Sequence, residues 1–260
     1  MNPEQLRSRL TGLHRLLGLF CCSYSVQAVE AIVHSGYDFL LIDTEHSPGS
    51  LTTLHAQLLA IAATDTAAVV RVSGLDAGQI KQCLDLGAHA VMVPNIDTVE
   101  QARTAASYCR YAPLGKRGVG GSVRASRYGR DKFSASKPHV DGVLMVQAES
   151  RLAMENLSEI AAVDGIDVVF FGPNDLAADM GLLGQPGHPD VVASVVAGIA
   201  QVRQAGKVAA VLANEHACEQ YFTAGATVVA LGSELGILVA GADSLQQRVR
   251  QQHGQVQQCD

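Results

Sequence analysis

The strongest constraint on the fold of this chain is a regular alternation of two kinds of segment. Eight short runs of apolar, often β-branched residues are each followed by a longer segment with helical apolar spacing. The short runs are apolar at consecutive positions, as strands covered by helices are. The pattern favours one (β/α)₈ TIM barrel, a single α/β domain over residues 1–250. The predicted strands are Leu16–Cys22, Asp38–Asp43, Ala68–Val72, Ala90–Pro94, Gly142–Ala148, Asp167–Gly172, Lys207–Leu212 and Thr227–Gly232.

The intervening segments are predicted to be helices, and several are followed by a glycine of the kind that ends helices. An open doubly wound sheet is the alternative fold. It is disfavoured because no G-x-G-x-x-G motif follows the first strand, and Gly118-Val119-Gly120-Gly121 has no strand before it. The predicted helices are Ser25–Ser35, Ser50–Thr64, Asp76–Leu86, Thr98–Cys109, Leu152–Val163, Pro189–Gln204, Glu215–Ala224 and Glu234–Val249.

Two segments depart from the alternation of predicted strands and helices. Residues 110–141 form a long predicted loop that carries eight of the 19 basic residues of the chain. Such a loop is usually functional or contacts another subunit, so it is either a solvated or oligomer-contact surface or a site that recognises an anionic group. Residues 251–260 are a polar tail with no core pattern.

Composition excludes several classes of partner. The formal net charge of −6 and the low aromatic content of 5% argue against a nucleic-acid surface. No run approaches the roughly 20 apolar residues of a membrane span, and residues 1–12 are polar. The six cysteines have neither zinc-site nor secreted-framework spacing, which favours reduced thiols. We therefore expect a cytoplasmic protein.

The ionisable residues that follow the strands are concentrated in one part of the predicted barrel. They lie at the ends of strands two, three, five and six, whereas the ends of strands four, seven and eight carry Pro94-Asn95, Leu212-Ala213-Asn214 and Gly232-Ser233. Active sites of TIM barrels lie at the carboxyl ends of the strands, so one site on one side is predicted. The four ionisable ends are Asp43-Thr44-Glu45-His46, Arg71, Gln147-Ala148-Glu149 and Gly172-Pro173-Asn174-Asp175.

Glu149 and Asp175 follow consecutive strands and form a candidate site for a divalent metal ion. Hard ions such as Mg²⁺ and Mn²⁺ prefer oxygen ligands, and two carboxylates leave positions open for substrate. Each has a structural alternative, since Glu149 can cap the next helix and Asp175 lies in the first turn of the helix that Pro173 opens. Their occurrence together favours the metal site.

Other residues at these ends suit proton transfer and anion binding. His46 is a candidate acid or base, with Asp43 placed to orient its ring. Arg71 suits a carboxylate or a developing enolate, and its alternative is a structural ion pair with Asp43, Glu45 or Asp85. The backbone N–H groups after Gly172-Pro173 are a predicted cradle for a small carboxylate.

The lysines argue against a Schiff-base mechanism, which needs a desolvated lysine in the site. Of the five, one falls within a predicted helix, three lie in the long loop, and one begins a strand at the wrong end of the barrel. They are Lys81, Lys116, Lys132, Lys137 and Lys207.

The motifs taken together resemble those of the HpcH/HpaI family of metal-dependent (class II) pyruvate aldolases, over nearly the whole chain and in order. The resemblance lies in Gly36 to His46, Val70-Arg71-Val72, Gln147-Ala148-Glu149, Phe171 to Leu176, Gly87-Ala88 to Val93-Pro94, Gly115-Lys116-Arg117-Gly118 and Leu231 to Gly236. It implies a (β/α)₈ barrel that cleaves compounds such as 4-hydroxy-2-oxoheptanedioate or 2-keto-3-deoxy sugar acids to pyruvate and an aldehyde. It also implies a homo-oligomer, usually a hexamer whose C-terminal helices pack on a neighbouring subunit.

The resemblance also implies roles for individual residues. Glu149 and Asp175 would hold Mg²⁺, Mn²⁺ or Co²⁺, and His46 would be the acid or base, oriented by Asp43, with Asp85 in a supporting network. Arg71 would bind the keto or enolate oxygen. The residues expected to line the substrate site are Gln147, Gly172, Pro173, Asn174, Asp175 and Leu212.

Two residues depart from the pattern of that family, and two other functions remain open. Asn174 stands where a small residue is common and Lys116 where Thr is usual, so the aldehyde preference is uncertain. A citrate-lyase-like or malyl-thioester lyase is one alternative, disfavoured because no added CoA-binding domain is evident. A non-catalytic keto-acid-binding protein is the other, disfavoured because His46 is retained beside Asp43.

Overall fold

Eight parallel strands form a closed barrel in chain order, with β1 hydrogen-bonded to β8. The computed structural model describes residues 1–12, 14–131 and 142–256. Each strand begins and ends within one residue of its predicted bounds, so the predicted TIM barrel is confirmed. The strands are β1 (Leu16–Cys21), β2 (Phe39–Asp43), β3 (Ala67–Arg71), β4 (Ala90–Val93), β5 (Val143–Ala148), β6 (Val168–Phe171), β7 (Val208–Ala213) and β8 (Val228–Ser233).

The strands bury both faces, and alternate residues belong to two separate cores. In β5, Val143 and Met145 belong to the core inside the barrel, whereas Leu144 and Val146 belong to the core between barrel and helices. This period of two runs through all eight strands. Gly18 faces inward, where a Cβ atom would lie 2.2 Å from the Phe39 ring, so glycine is needed there.

The helices surround the barrel, and most begin at a polar residue whose side chain accepts a hydrogen bond from the first turn. Ser25, Ser50, Asp76 and Thr98 are such caps. The helices are α1 (Pro3–Thr11), α2 (Val26–Ile32), α3 (Leu51–Ala62), α4 (Ala77–Asp85), α5 (Val99–Cys109), α6 (Arg151–Glu155), α7 (Leu157–Ala161), α8 (Pro173–Asp179), α9 (Pro189–Gln204), α10 (Glu215–Ala224) and α11 (Glu234–Val256).

Three helical segments differ from prediction. The polar N-terminal segment contains α1, whose Leu6 and Leu10 pack into the inner core at the amino end of the strands. Two short helices, α6 and α7, replace the single predicted helix Leu152–Val163. The last helix continues past Val249 to Val256, so part of the predicted tail is helical, and residues 257–260 lie outside the described residues.

The described part of the long loop lies against the amino end of the barrel. Arg117 binds Asp85 at the end of α4, and Arg124 donates to the carbonyl oxygen of Leu86. The loop contains a 3-10 turn, Arg124–Ser126. Residues 132–141, with Lys132 and Lys137, lie outside the described residues, and anion recognition by this loop stays a prediction. In the described ranges, no helix has the length and apolarity needed to cross a bilayer.

Candidate active site

The inward-facing positions of the strands continue upward into a ring of polar residues at the carboxyl end of the barrel, here called the mouth. Inward alternation along β2 and β3 leads to Asp43 and Arg71, and along β5 to Gln147 and Glu149. Gly172 follows β6 on the same face. The period of two therefore brings residues from four strands to one place.

Asp43 and Arg71 are register neighbours on β2 and β3 and form a bidentate ion pair. Arg71 Nε donates to Asp43 Oδ1 and Nη2 to Oδ2, each at 2.8 Å, and the Asp43 residue is 1% exposed. The third nitrogen, Nη1, lies 3.1 Å from Glu45 Oε2. The guanidinium carbon is also 5.1 Å from the centre of the Phe20 ring. Arg71 is thus held rigidly in the mouth.

Glu149 is buried, with 5% exposure, and both of its carboxylate oxygens accept a hydrogen bond. Oε1 accepts from the backbone N–H of Asn95 at 3.0 Å, and Oε2 from Gln147 Nε2 at 2.7 Å. The pKa of Glu149 is raised to about 7, chiefly by burial and then by the charges of Asp175 and Glu45, against the opposing effects of the Asn95 hydrogen bond and of Arg71. Ser150 caps α6, so Glu149 is free of the capping role considered above.

Asp175 is exposed in the first turn of α8, where its charge acts on both Glu149 and Glu45. Gly172 lies beside the Glu149 carboxylate, and a Cβ atom there would stand 2.5 Å from Glu149 Oε2. A side chain at position 172 would therefore fill the space next to this carboxylate.

His46 has a different carboxylate neighbour from the one expected. Its Nε2 atom lies 3.7 Å from Glu45 Oε2, and its side chain is 68% exposed. Both oxygens of Asp43 accept from Arg71, and Oδ1 also accepts from the Glu45 backbone N–H at 3.0 Å. The prediction that Asp43 orients His46 is therefore corrected, because Arg71 holds Asp43 and Glu45 lies beside the ring.

Asp85 is not brought into the mouth of its own chain. It ends α4, which runs back from β3 to the amino end of the strands, and it binds Arg117 Nη2 at 2.7 Å. Asp85 was expected to support the group around His46, but within one chain it does not reach that group. Asp85 lies at the amino end of the barrel and His46 at the carboxyl end. Of the remaining substrate-site candidates, Leu212 contacts the inner core near the mouth, Pro173 is buried and Asn174 is exposed.

Three residues with no catalytic or binding role predicted from the sequence also belong to the mouth. Glu45 bridges Arg71 and His46, and Asn95 donates to Glu149. The buried Glu234 accepts the backbone N–H groups of Cys22 and Ser23 and so ties the end of β1 to α11. Asn95 is the second residue after β4 and Glu234 directly follows β8, so a place just past the end of a strand was the available signal for both.

The donor set suits a hard divalent ion with only two protein ligands. In the part of the chain that the structure describes, no three His, Cys, Asp or Glu side chains are grouped to hold a metal. Glu149 and Asp175 form a pair of oxygen donors. Burial is the main cause of the raised pKa of Glu149, and repulsion from Asp175 adds to it. A cation next to them would offset that repulsion.

One family combines this barrel with such a mouth. The sequence pattern described as HpcH/HpaI aldolase/citrate lyase matches residues 16–240, which include all eight strands and the mouth residues named above. The chain belongs to the HpcH/HpaI aldolase/citrate lyase family. The resemblance inferred from the motifs is thereby confirmed.

Individual HpcH/HpaI relatives agree with this assignment. The chain is 45% identical over 234 residues to the 4-hydroxy-2-oxo-heptane-1,7-dioate aldolase of Klebsiella pneumoniae subsp. pneumoniae, covering 89% of this chain and 87% of the relative. The enzyme of the same name from Salmonella dublin is 42% identical and is covered over 89% of both chains. A solved HpcH/HpaI aldolase/citrate lyase family protein from Burkholderia cenocepacia J2315 has a TM-score of 0.90 and 35% identity, covering 95% of this chain and 99% of that one.

Kinship to these HpcH/HpaI enzymes supports the activity of a class II, pyruvate-dependent aldolase, which makes this protein a carbon–carbon lyase. It also favours the aldolase over the citrate-lyase-like and non-catalytic alternatives, because the relatives with 42–45% identity are named as aldolases.

Proposed function

We propose that this protein reversibly cleaves a 4-hydroxy-2-oxo acid to pyruvate and an aldehyde, with a divalent metal ion held by Glu149 and Asp175. The observation that carries the proposal is Glu149, a buried carboxylate beside two further carboxylates. Buried negative charge of this kind is relieved by a bound cation. The mouth of a TIM barrel is where such a site acts on substrate.

Glu149 and Asp175 are the residues that would hold Mg²⁺, Mn²⁺ or Co²⁺. Two carboxylates leave coordination positions for a bidentate keto acid. Gly172 supports this assignment, because a side chain there would meet Glu149 Oε2. When bound, the ion supplies Lewis acidity toward the keto oxygen of the substrate.

Arg71 binds the C2 oxygen of the substrate and stabilises the negative charge that gathers there as pyruvate enolate forms. Asp43 and Glu45 hold the guanidinium in place, so little reorganisation accompanies the reaction. The remaining pocket residues orient the keto acid and the departing aldehyde. They are Gln147, Gly172, Pro173, Asn174 and Leu212.

His46 removes the C4 hydroxyl proton through a water molecule. The C3–C4 bond then breaks, its electron pair passes into the enolate, and the aldehyde leaves. The proton returns to C3 and completes pyruvate. Glu45 lies 3.7 Å from the His46 ring and stabilises the protonated imidazole.

The proposed substrates are 4-hydroxy-2-oxoheptanedioate, in line with the names of the relatives, and 2-keto-3-deoxy sugar acids. A direct test measures pyruvate release from both kinds of acid by metal-free protein, before and after addition of Mg²⁺, Mn²⁺ or Co²⁺. We expect activity that EDTA abolishes and the metal restores. Metal-independent activity that borohydride traps as a covalent adduct would contradict the proposal.

We also propose that the protein is a homo-oligomer, with a hexamer as the expected state. Support comes from α11, which exposes Ile237, Leu238, Val239, Leu245 and Val249. An exposed apolar surface of this kind is typical of a contact between subunits. Light scattering after size-exclusion chromatography is expected to give six times the chain mass, and Leu238→Asp is expected to lower it. A monomer at micromolar concentration would contradict this assignment.

A cytoplasmic location completes the proposal. The described cysteines are all free thiols, as suits a reducing compartment. Cell fractionation with an antibody to the protein tests this location, and recovery with a membrane or secreted fraction would contradict it.

A further inference from the structure

Asn95, the second residue after β4, has an unusual backbone conformation in the mouth. Its φ angle is +55°, in the left-handed region that residues other than glycine seldom adopt. Asparagine tolerates this region better than most residues. Backbone strain of this kind persists where surrounding contacts require it.

The left-handed turn directs two consecutive N–H groups toward the end of β5. Asn95 N–H donates to Glu149 Oε1 at 3.0 Å, and Ile96 N–H donates to the carbonyl oxygen of Gln147 at 3.1 Å. The Gln147 side chain holds the other oxygen of Glu149 at 2.7 Å. The two donors bind different oxygens of Glu149 and together fix the orientation of the carboxylate group.

We propose that Asn95 is a positioning residue that acts through its backbone: its left-handed conformation aims the N–H group that orients Glu149 for metal binding. This inference rests on the proposed metal site. The side-chain amide is the weaker contact, because Asn95 Nδ2 lies 3.5 Å from Glu45 Oε1. The hydrogen bond from the Asn95 backbone N–H is shorter, and it reaches Glu149, the proposed metal ligand.

Substitutions at position 95 separate the backbone from the side chain. Asn95→Gly removes the amide but keeps the left-handed region accessible, whereas Asn95→Val disfavours that region through its branched Cβ. Asn214 supplies the matched control, because it follows β7 at the same end of the barrel with an ordinary φ of −89°. Asn214→Val removes the cap of α10 but touches no proposed ligand.

The measurement is Mn²⁺ binding to metal-free protein, followed by electron paramagnetic resonance. Asn95→Val is expected to weaken Mn²⁺ binding about 10- to 100-fold, the usual effect of losing a group that orients a ligand. Asn95→Gly is expected to stay within about threefold of the unaltered protein, as is Asn214→Val. At saturating Mn²⁺, Asn95→Val is expected to regain most of its turnover, which a general loss of structure would not allow.

Asn95→Ala keeps the proposal testable if the valine variant does not fold, because alanine carries an unbranched Cβ and should weaken binding in the same direction but less. Equal weakening by glycine and alanine would overturn the backbone role and assign the effect to the amide. Unchanged affinity in all the Asn95 variants would overturn it as well. Glu149→Gln run in the same titration separates the two proposals: if it leaves Mn²⁺ affinity unchanged, the metal site itself fails, and the role of Asn95 fails with it.

Discussion

The two ends of the barrel balance charge in different ways. At the amino end, basic and acidic side chains form local pairs: Arg7 with Asp167, Arg9 with Asp38 and Arg117 with Asp85. At the mouth, Asp43, Glu45 and Glu149 all lie in the field of Arg71, and Asp175 adds further negative charge.

This difference shows which charges maintain the fold and which serve chemistry. The pairs at the amino end join α1 and the long loop to the barrel. The mouth holds more negative charge than Arg71 neutralises, and it raises the pKa of Glu149. An imbalance that burial makes unfavourable is typical of a functional site. The comparison therefore predicts that removing a charge lowers turnover at the mouth but only stability at the amino end.

The largest expected effect comes from Glu149→Gln. Because this carboxylate is the buried member of the proposed metal pair, we expect kcat for pyruvate release to fall by at least about 10³-fold. Glu155→Gln, which removes an exposed carboxylate on α6, is the control and should keep full turnover. Steady-state kinetics at saturating Mn²⁺ measures both, and near-normal activity of Glu149→Gln would end the proposed metal role.

Arg71→Ala should have a slightly smaller effect on turnover and a large effect on stability. Loss of one donor to a developing oxyanion typically lowers kcat about 10²- to 10³-fold. The change also leaves Asp43 buried without its ion pair, which costs about 3–5 kcal/mol of unfolding free energy. Steady-state kinetics measures the fall in kcat, and urea unfolding measures the loss of unfolding free energy.

Arg71→Ala/Asp43→Asn is the companion variant, since it removes the unpaired charge. It should recover stability but not turnover. Recovery of both would mean that Arg71 serves the fold alone, like the arginines of the amino end.

The pKa of Glu149 predicts a pH effect on the metal-free protein. The pKa of Glu149 is raised from 4.5 to about 7 in the folded protein, so the folded state binds the proton of this carboxyl more tightly than the unfolded state does. The resulting stabilisation is fully present below pH 4.5 and is lost as the pH rises toward 7. At about 1.4 kcal/mol per pKa unit, the loss reaches about 3 kcal/mol. Melting curves in EDTA should therefore show Glu149→Gln gaining stability relative to the unaltered protein from pH 5 to 8.

Saturating Mg²⁺ at pH 8 should reverse that difference, because the ion binds only the intact carboxylate. A stability difference that stays constant between pH 5 and 8 would show that Glu149 does not titrate in this range.

The sequence predicts the barrel well because its signals are local. Runs such as Val168–Phe171 and Val208–Ala213 are short and apolar at every position, as strands covered on both faces are. Helix α1 was missed because its two core residues, Leu6 and Leu10, are isolated among polar neighbours. Their burial depends on a barrel end formed by strands distant in sequence.

The mouth was predicted in part, for a related reason. Arg71 ends one strong strand pattern and Glu149 directly follows another, so the fold alone predicts that they converge. It does not predict the partner of His46, because Arg71 holds both oxygens of Asp43 and contacts Glu45 through one nitrogen only, a division that the sequence does not indicate. Asp85 shows the same limit: its role was taken from resemblance, and helix direction alone places it at the other end.

The smallest expected effect tests the amino end. Asp167 accepts from Arg7 Nε at 3.0 Å and from the Leu144 backbone N–H at 2.9 Å, and both Arg7 and Asp167 are partly exposed. Water screens such a pair, so Asp167→Asn should lower the unfolding free energy by about 1 kcal/mol, measured by urea unfolding, and leave kcat and KM unchanged. A fall in kcat without a fall in stability would mean that charge at the amino end reaches the mouth, and the division between a structural and a chemical end of the barrel would fail.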